Sequence, residues 1–188
     1  MTSKKSMGVV GLWGLAARLK AEPRRGWIGV SGVGKIESVA DHSFGLAVLV
    51  LSEAEKGGHN VERALRLALI HDLEESITGD LTPKDKRRLG KKGVERMREA
   101  ARARIMRLIP ASRRGDYREL LRDLAAGRTR EARLVKDLDK LEMALQARNY
   151  ETLGVPHGEV ERFYRSAIRR IMDDELRKMA RRLARLGG

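Results

Sequence analysis

The sequence predicts an all-α protein, folded as one bundle of about six or seven helices. Apolar residues recur every three or four positions along most of the chain, as on the buried face of an amphipathic helix. No segment shows the apolar–polar alternation that is typical of a half-buried strand. The length of 188 residues is usual for one domain, and 41% hydrophobic residues suffice for a core. We therefore expect residues 1–188 to form a single helical domain.

Capping residues, glycines and prolines set the boundaries of the predicted helices. Ser38, with Asp41 three residues later, is a variant capping box that begins one of them. The first predicted helix ends before Pro23, the second runs from Ser38 to about Lys56, and the third runs from Asn60 to about Gly79. The fourth runs from Thr82-Pro83 to Pro110, and the fifth covers about 116–126. The sixth begins at Thr129, and the last covers about 158–186.

The composition excludes several classes of protein. Without cysteine, the chain can have no disulfide scaffold, cysteine zinc site or cysteine nucleophile, and a reducing, cytoplasmic location fits best. No run of about eighteen apolar residues predicts a membrane span. The apolar stretch over 7–17 lacks a small-x-small cleavage site, so we interpret it as part of the first helix. The glycine-rich segment over 26–34 matches no phosphate-binding loop motif.

The formal charge of +14 favours a polyanionic partner: nucleic acid, anionic lipid or a phosphorylated small molecule. The excess is concentrated in residues 84–107, with eleven basic and three acidic residues, and in 161–185, with nine and four. A solvated helix face also explains such runs. Residues 84–107 contain no aromatic residue on which single-stranded bases could stack, so nucleic acid is the less favoured partner.

Two histidine–aspartate pairs lie in strongly apolar helical contexts. Asp41-His42 begins the apolar run to Leu51, and His71-Asp72 closes the segment RALRLALIHD. The apolar face of the third predicted helix leads into His71, so that this side chain points inward. Such a histidine is either hydrogen-bonded in the core or a metal ligand. Imidazole beside carboxylate suits divalent metals that include zinc, manganese, iron and cobalt.

Two further carboxylates stand near these patterns. Asp139 lies beside a leucine stripe, where it either pairs with Lys136 or Lys140 at the surface or meets a cation inside, because an unpaired buried carboxylate is costly. Glu75 follows His71 by four residues, which places both on one helix face about 6 Å apart along the axis. It is either a solvated glutamate near a helix end or a base that activates water.

The ordered set His42, His71-Asp72 and Asp139 resembles the H…HD…D constellation of HD-domain metal-dependent phosphohydrolases. The short sequence segments around these residues are similar to those of the HD-domain 5′-deoxynucleotidases and their archaeal and eukaryotic relatives. The resemblance covers about residues 8–150, with core motifs over 24–147 and the C-terminal basic helix packing on or extending this core. The segments that carry the resemblance are PRRGW (23–27), ESVADHS (37–43), HDLEESITGDLTP (71–83) and KDLDKLEMALQA (136–147).

The resemblance implies an all-α HD domain, often dimeric, that hydrolyses deoxyribonucleoside 5′-monophosphates to nucleoside and phosphate. We therefore expect a nucleotide substrate, a homodimer and a divalent metal ion, whose identity stays open among Mn, Co, Zn, Mg, Fe and Ni. The implied metal ligands are His42, His71, Asp72 and Asp139; the implied water-activating residue is Glu75; the implied substrate contacts are Arg24, Trp27 and Asp80.

Three alternatives stay open at this point. Arg25-Gly26 separates Arg24 from Trp27, so Arg25 is a second candidate for the phosphate contact. The same metal ligands would also serve a phosphodiesterase or a nucleotide pyrophosphohydrolase. A basic nucleic-acid-binding protein with a degenerate site is the third alternative, against which the presence of all four ligands argues.

Overall fold

The computed structural model describes the backbone of residues 4–187 and the side chains of residues 8–187. This part of the chain contains no strand, only an isolated antiparallel bridge between Pro23 and Ser38, and the predicted all-α class is confirmed. None of its helices combines the length and apolar character that a membrane span requires. The helices are Lys4–Ala21 (α1), Val39–Lys56 (α2), Val61–Ile70 (α3), Glu75–Thr78 (α4), Pro83–Leu108 (α5), Arg114–Ala126 (α6), Arg130–Thr152 (α7), His157–Arg170 (α8) and Asp174–Leu186 (α9).

Helix α2 begins where the sequence predicts, because its first residues satisfy their own backbone donors. Ser38 Oγ accepts a hydrogen bond from the Asp41 N–H at 3.0 Å, and the Asp41 carboxylate accepts one from the Ser38 N–H at 2.9 Å. Gly57 ends the helix, also as predicted. This start places His42 in the first turn of α2, where its side chain is fully buried.

The predicted third helix, from Asn60 to Gly79, is wrong in its second half. Asn60 caps α3 as expected, but α3 ends at Ile70, and residues 71–74 form turns before the single turn of α4. Backbone hydrogen bonds here span three residues instead of four, as between the Leu73 N–H and the Ile70 carbonyl at 3.2 Å. The chain is therefore wound more tightly than an α-helix over this segment.

Helix α5 is the predicted basic helix. Thr82 and Asp85 form a capping box at its start, and Pro83 occupies the first turn, where its missing N–H leaves no bond unmade. The helix is interrupted at Gly90, which was not predicted; the φ of Gly90 is 68°, in the left-handed region that favours glycine.

The single helix predicted over about 158–186 is wrong, since α8 and α9 are separate helices. A distant side chain stabilises the break: the Asp137 carboxylate on α7 accepts the backbone N–H groups of Met172 at 2.9 Å and Asp173 at 2.8 Å. Asp173 in turn caps α9. With this break, residues 4–187 contain eight helices of ten residues or more, beyond the six or seven predicted.

Helix α7 runs through the core and packs against α2, α3, α8 and α9. Of its predicted leucine stripe, Leu138 and Leu141 are buried, whereas Leu134 and Leu145 are half-buried beside them. Full burial of a leucine stabilises a fold by about 1.5–3 kcal/mol. Because α2 and α3 both pack on α7, the polar residues that these elements carry meet in the interior.

Candidate active site

Four side chains from three parts of the fold converge in this interior. His42 comes from α2, His71 and Asp72 come from the turns after α3, and Asp139 comes from α7. Nε2 of His42 lies 3.2 Å from Nε2 of His71 and 3.4 Å from Oδ1 of Asp139. Oδ2 of Asp72 lies 2.9 Å from His71 Nε2 and 3.9 Å from His42 Nε2. These are the four residues for which the resemblance implies metal binding.

The tight turn after α3 allows two consecutive residues to face one centre. Neighbouring residues of a regular helix point about 100° apart, which would separate the His71 ring from the Asp72 carboxylate. The same turn removes the helical relation between His71 and Glu75 on which their predicted proximity was based, so that reason is wrong. Glu75 nevertheless stays beside Asp72, whose carbonyl accepts the Glu75 N–H at 2.9 Å.

Each histidine is oriented by a hydrogen bond at the ring nitrogen that faces away from the cluster. His71 Nδ1 lies 2.7 Å from the backbone carbonyl oxygen of Ala68, which can only accept, so this nitrogen carries a proton. His42 Nδ1 makes a short hydrogen bond with the carboxylate of Glu142. Both Nε2 atoms are therefore the ones that face Asp72 and Asp139, as a pair of metal-ligating imidazoles requires.

Charge pairing determines the ionisation of His42. Burial and the Arg24 guanidinium lower its pKa, but the carboxylates of Asp139 and Glu142 outweigh both and raise the pKa to about 10. The ring is thus held as a cation between two carboxylates. A bound divalent cation would take over this positive charge at Nε2.

The two aspartates are ionised. Burial raises the pKa of Asp72, but His71 and Arg24 hold that pKa well below its usual range. Burial also raises the pKa of Asp139, but the Lys140 ammonium, with Nζ 2.6 Å from Oδ2, and the His42 and His71 rings together outweigh it and hold the pKa low. Asp139 therefore pairs with Lys140, as one of the two alternatives predicted, and it also faces the interior cluster; that it meets a cation there stays a prediction.

Glu75 adds a third carboxyl group beside the cluster. Its buried oxygen, unpartnered in the described part of the chain, and its raised pKa are what a site that accommodates a divalent cation would show in the absence of the cation. Its Oε2 is buried and has no hydrogen-bond partner among the described residues. Burial, then the nearby Asp72 and Asp80 carboxylates, raise the pKa of Glu75 to about 9. Two imidazole nitrogens with several carboxylates are a donor set that suits Zn, Mn, Fe or Co.

Arg24, rather than Arg25, reaches this cluster. Nη1 of Arg24 lies 3.2 Å from Oδ2 of Asp72, and its side chain is only 15% exposed. The Arg24 N–H donates to the Glu37 carbonyl at 2.9 Å, which fixes the backbone. Arg25 pairs instead with Glu22 at 3.1 Å, and its side chain is 43% exposed. Of the two arginines, Arg24 is therefore the one whose guanidinium contacts the cluster.

Asp80 is tied to the same loop. Its carboxylate accepts the Arg25 N–H at 2.8 Å, and its own N–H donates to Glu22 at 3.1 Å. Gly79 permits this approach: its φ is 72°, and a Cβ there would lie 3.0 Å from the Arg25 guanidinium. The residue predicted to contact the sugar thus lies beside the segment that carries the predicted phosphate contact.

Trp27 lies in the protein interior. The residue is 2% exposed, and its ring stacks on Phe163 with 3.7 Å between ring centroids. Its indole N–H donates to the Glu37 carboxylate at 2.8 Å. Substrate contact by Trp27 stays a prediction, while the observed contacts connect it to the polar cluster through Glu37.

Sequence reasoning missed two buried acidic residues, Glu37 and Glu142. His42, His71 and Asp72 have potential ligand atoms that all lie within 4.8 Å of one another, and Glu37, His42 and Glu142 form a second such group. Burial, then the Glu142 carboxylate, raise the pKa of Glu37 to about 7. A signal for Glu142 was available, because it follows Asp139 by three residues on one helix face. Glu37 lies before α2 and had no such signal.

Comparison with known proteins agrees with this arrangement. The sequence profile described as the HD domain matches residues 16–179. The chain therefore belongs to the HD-domain family, and the four converging residues carry that family's H…HD…D pattern.

Among its relatives, the chain is 35% identical over 175 residues to 5′-deoxynucleotidase HDDC2 of Mus musculus, covering 93% of this chain and 86% of the relative. It is 36% identical over 155 residues to 5′-deoxynucleotidase hdd1 of Schizosaccharomyces pombe, covering 80% and 76%. A solved structure of a conserved hypothetical protein from Pyrococcus furiosus is similar with a TM-score of 0.73 and 34% identity, covering 94% of this chain and 99% of that one.

Proposed function

We propose that this protein is a metal-dependent phosphomonoesterase that hydrolyses deoxyribonucleoside 5′-monophosphates to deoxynucleoside and phosphate. The convergence of His42, His71, Asp72 and Asp139 carries the proposal. Relatives named 5′-deoxynucleotidases, which match most of the chain, support the substrate class.

His42, His71, Asp72 and Asp139 would hold a divalent metal ion, which would supply the Lewis acidity that lowers the pKa of water and polarises a phosphate oxygen. The chain prepares this site through charge and orientation. Asp72 and Asp139 provide ionised oxygens, while hydrogen bonds at Nδ1 hold the Nε2 atoms of His42 and His71 toward them.

Glu75 takes a proton from the attacking water. Its buried Oε2 has no donor among the described residues, so the atom is available to accept one. With its pKa raised to about 9, Glu75 is protonated in the metal-free site, and the positive charge of a bound divalent cation would favour the ionised carboxylate that accepts the proton.

Arg24 and Asp80 bind the substrate on either side of the scissile bond. The Arg24 guanidinium neutralises charge on the phosphate oxygens and is held near the ligands by its contact with Asp72. Asp80 accepts a hydrogen bond from the deoxyribose hydroxyl. Trp27 stabilises the loop that presents Arg24, in addition to its predicted contact with substrate.

Phosphate release from a nucleotide panel tests this function. We expect turnover of deoxynucleoside 5′-monophosphates with at least one of Mn²⁺, Co²⁺, Zn²⁺, Mg²⁺, Fe²⁺ or Ni²⁺, and loss of turnover with a chelator. A cyclic dinucleotide, followed through its linear product, tests the diesterase alternative, and a nucleoside triphosphate, followed through pyrophosphate, tests the pyrophosphohydrolase alternative. Turnover of either of these, with no phosphate released from any monophosphate, contradicts the proposal.

We also propose that the protein acts as a homodimer through an apolar face on α2. Phe44, Val48 and Leu51 recur at helical spacing and are 72%, 53% and 45% exposed. Helix α1, which packs on α2, exposes Val9 and Trp13 at 69% and 62%. Contiguous exposed apolar surface is uncommon on monomers, and a second copy would bury the same stripe on both sides of a twofold interface.

We infer further that residues 1–188 form one domain in a cytoplasmic protein. Helices α8 and α9, which carry the C-terminal basic run, pack on α7, the helix that supplies Asp139. The absence of cysteine supports a reducing compartment. The basic surface attracts phosphorylated ligands in general, and the absence of aromatic residues over 84–107 favours small phosphorylated substrates over nucleic acid as the partner.

A further inference from the structure

Glu142 contacts the histidine of α2 from the side opposite the metal-ligand cluster. The residue is 7% exposed, and its Oε2 forms the short hydrogen bond with His42 Nδ1. Asp139, three residues earlier on α7, lies 3.4 Å from the other ring nitrogen, Nε2. One helix therefore presents a carboxylate to each nitrogen of a single imidazole.

This arrangement has a consequence for the tautomer of the ring. A neutral imidazole carries one proton, and only the unprotonated nitrogen can bind a metal. When a metal ion displaces the Nε2 proton of the His42 cation, the proton that remains would lie on Nδ1, where Glu142 accepts it, and the Nε2 lone pair would face His71 and Asp139. His71 obtains the same orientation from the Ala68 carbonyl, a backbone group that no substitution removes. Of the two histidines in the cluster, His42 is the one whose orientation depends on a side chain.

Gly45 provides the space that Glu142 occupies. It lies within α2, one turn after His42, and a Cβ at this position would be 3.0 Å from Glu142 Oε1 and 3.5 Å from its Cγ. The φ of Gly45 is not positive, so alanine is compatible with the backbone. Glycine disfavours a helix interior relative to alanine, and the contact with Glu142 explains its presence here.

A second carboxylate lies behind the first. Glu37 is 8% exposed, and Trp27 donates a hydrogen bond to it at 2.8 Å. Glu37, His42 and Glu142 bring their ligand atoms within 4.8 Å of one another, so that Glu142 is either an orienting acceptor or itself a metal ligand. Two observations favour the orienting role. Glu142 is hydrogen-bonded directly to His42 Nδ1, and the four proposed metal ligands lie on the other side of the ring, around Nε2.

We propose that Glu142 is a positioning residue that fixes the ring orientation and the Nδ1–H tautomer of His42 for metal binding, and that Gly45 is required to accommodate it. The proposal rests on the metal site of the proposed function. Carboxylate acceptors behind ligating histidines commonly contribute about 10–100-fold to metal affinity.

Titration of the metal-free protein with Co²⁺ tests this role without nucleotide. We expect E142Q and E142A to weaken Co²⁺ binding by about 10–100-fold, less in E142Q because its amide oxygen still accepts a hydrogen bond. We expect G45A, which keeps Glu142 but displaces it, to weaken binding as well. The matched controls are E131Q, which changes another buried glutamate of α7, and G14A, a helical glycine with no atom within 4 Å of its added Cβ. Both should retain wild-type affinity.

Nitrogen NMR of the Zn²⁺-loaded protein provides a readout that packing alone would not move. The chain has four histidines, which makes the assignment of His42 practicable. We expect the His42 Nδ1 proton to exchange slowly with water in the wild type and in E131Q, and to exchange fast enough to broaden its resonance in E142A, where no carboxylate accepts it.

Three results would overturn the proposal. Wild-type Co²⁺ affinity in E142A would reduce Glu142 to a packing residue, and wild-type affinity in G45A would remove the role of Gly45. Complete loss of Co²⁺ in E142Q, equal to the loss in D139A, would make Glu142 a ligand. A wild type that binds Co²⁺ but releases no phosphate contradicts only the proposed function, whereas a wild type that binds no Co²⁺ contradicts both.

Discussion

The guanidinium of Arg24 lies 3.2 Å from the carboxylate of Asp72, so the proposed phosphate contact and a proposed metal ligand form one ion pair. Both side chains are largely buried, and the Arg24 charge helps to hold the pKa of Asp72 low. Breaking a buried pair by removing one partner leaves an uncompensated charge. Arg24 therefore neutralises Asp72 before substrate binds, and in the proposed function it also neutralises the substrate phosphate.

The first prediction separates the two adjacent arginines. R24A should lower kcat/KM for a deoxynucleoside monophosphate by about 10²–10³-fold, because it removes the positive charge that faces the phosphate. R25A should stay within several-fold of the wild type, since Arg25 pairs with Glu22 outside the cluster. Steady-state phosphate release measures both. A larger loss in R25A than in R24A would reverse the assignment.

The second prediction concerns Glu75. E75Q should lower kcat by about 10²–10⁴-fold, the usual contribution of a general base, while metal affinity stays near the wild-type value. The neighbouring Glu74 is a matched control, because it is buried but pairs with Arg98 and Arg102 at 3.0 and 2.8 Å on α5. E74Q should lower thermal stability and leave kcat largely intact. Near-normal turnover in E75Q would show that another group accepts the proton.

The third prediction is a pH dependence of stability at the end of α7. The Glu151 carboxylate accepts hydrogen bonds from the Tyr164 hydroxyl at 2.7 Å, His157 Nδ1 at 2.6 Å and Arg148 Nη1 at 3.2 Å. Burial raises the pKa of Glu151, but these donors outweigh it and lower the pKa below its ordinary 4.5. Its contribution to stability is therefore complete above that value and is lost as the pH falls through the lower folded pKa.

The E151Q variant measures this contribution. At pH 7 we expect the free energy of unfolding to fall by about 2 kcal/mol, since bonds to a charged acceptor are lost. Denaturant unfolding at pH 7 and pH 3 should show that the gap between the two proteins narrows in acid. An equal gap at both pH values would mean that the ionised form of Glu151 contributes nothing.

The fourth prediction concerns the apolar stripe on α2. F44E should convert a dimer into monomers in sedimentation velocity, because it places a charge in the proposed apolar interface. Leu153 is a control of similar exposure, 71% against 72% for Phe44, at the C-terminal end of α7. L153E should leave the dimer intact. A wild type that sediments as a monomer at micromolar concentration, or an F44E variant that stays dimeric, would exclude this interface.

Local chemistry made part of this fold predictable. The capping boxes at Ser38 and Thr82 use atoms three residues apart, so the starts of α2 and α5 are visible in the sequence. The break between α8 and α9 depends instead on Asp137, which lies 36 residues before Asp173 in the chain. Asp173, followed by Asp174 and Glu175, is a local pattern for the start of α9, but nothing near residues 171–173 in the sequence indicates the contact with Asp137.

The same distinction applies to the candidate site. His42, His71-Asp72 and Asp139 stand out because polar residues interrupt apolar helical patterns. The tight turn after α3 contains neither proline nor glycine, so its position was not predictable from breakers. The proximity of Glu37 and Glu142 to His42 and to each other could not be predicted from local sequence, because the packing of α2 on α7 brings their carboxylates together.

Anomalous diffraction from crystals grown with Co²⁺ and a deoxynucleoside monophosphate decides whether the four converging residues form a metal-dependent phosphatase site. We expect an anomalous peak enclosed by His42 Nε2, His71 Nε2, Asp72 and Asp139, with the nucleotide phosphate next to it and in contact with Arg24. Absence of a peak there, a peak between Glu37 and Glu142 instead, or a phosphate bound away from the metal would contradict this assignment.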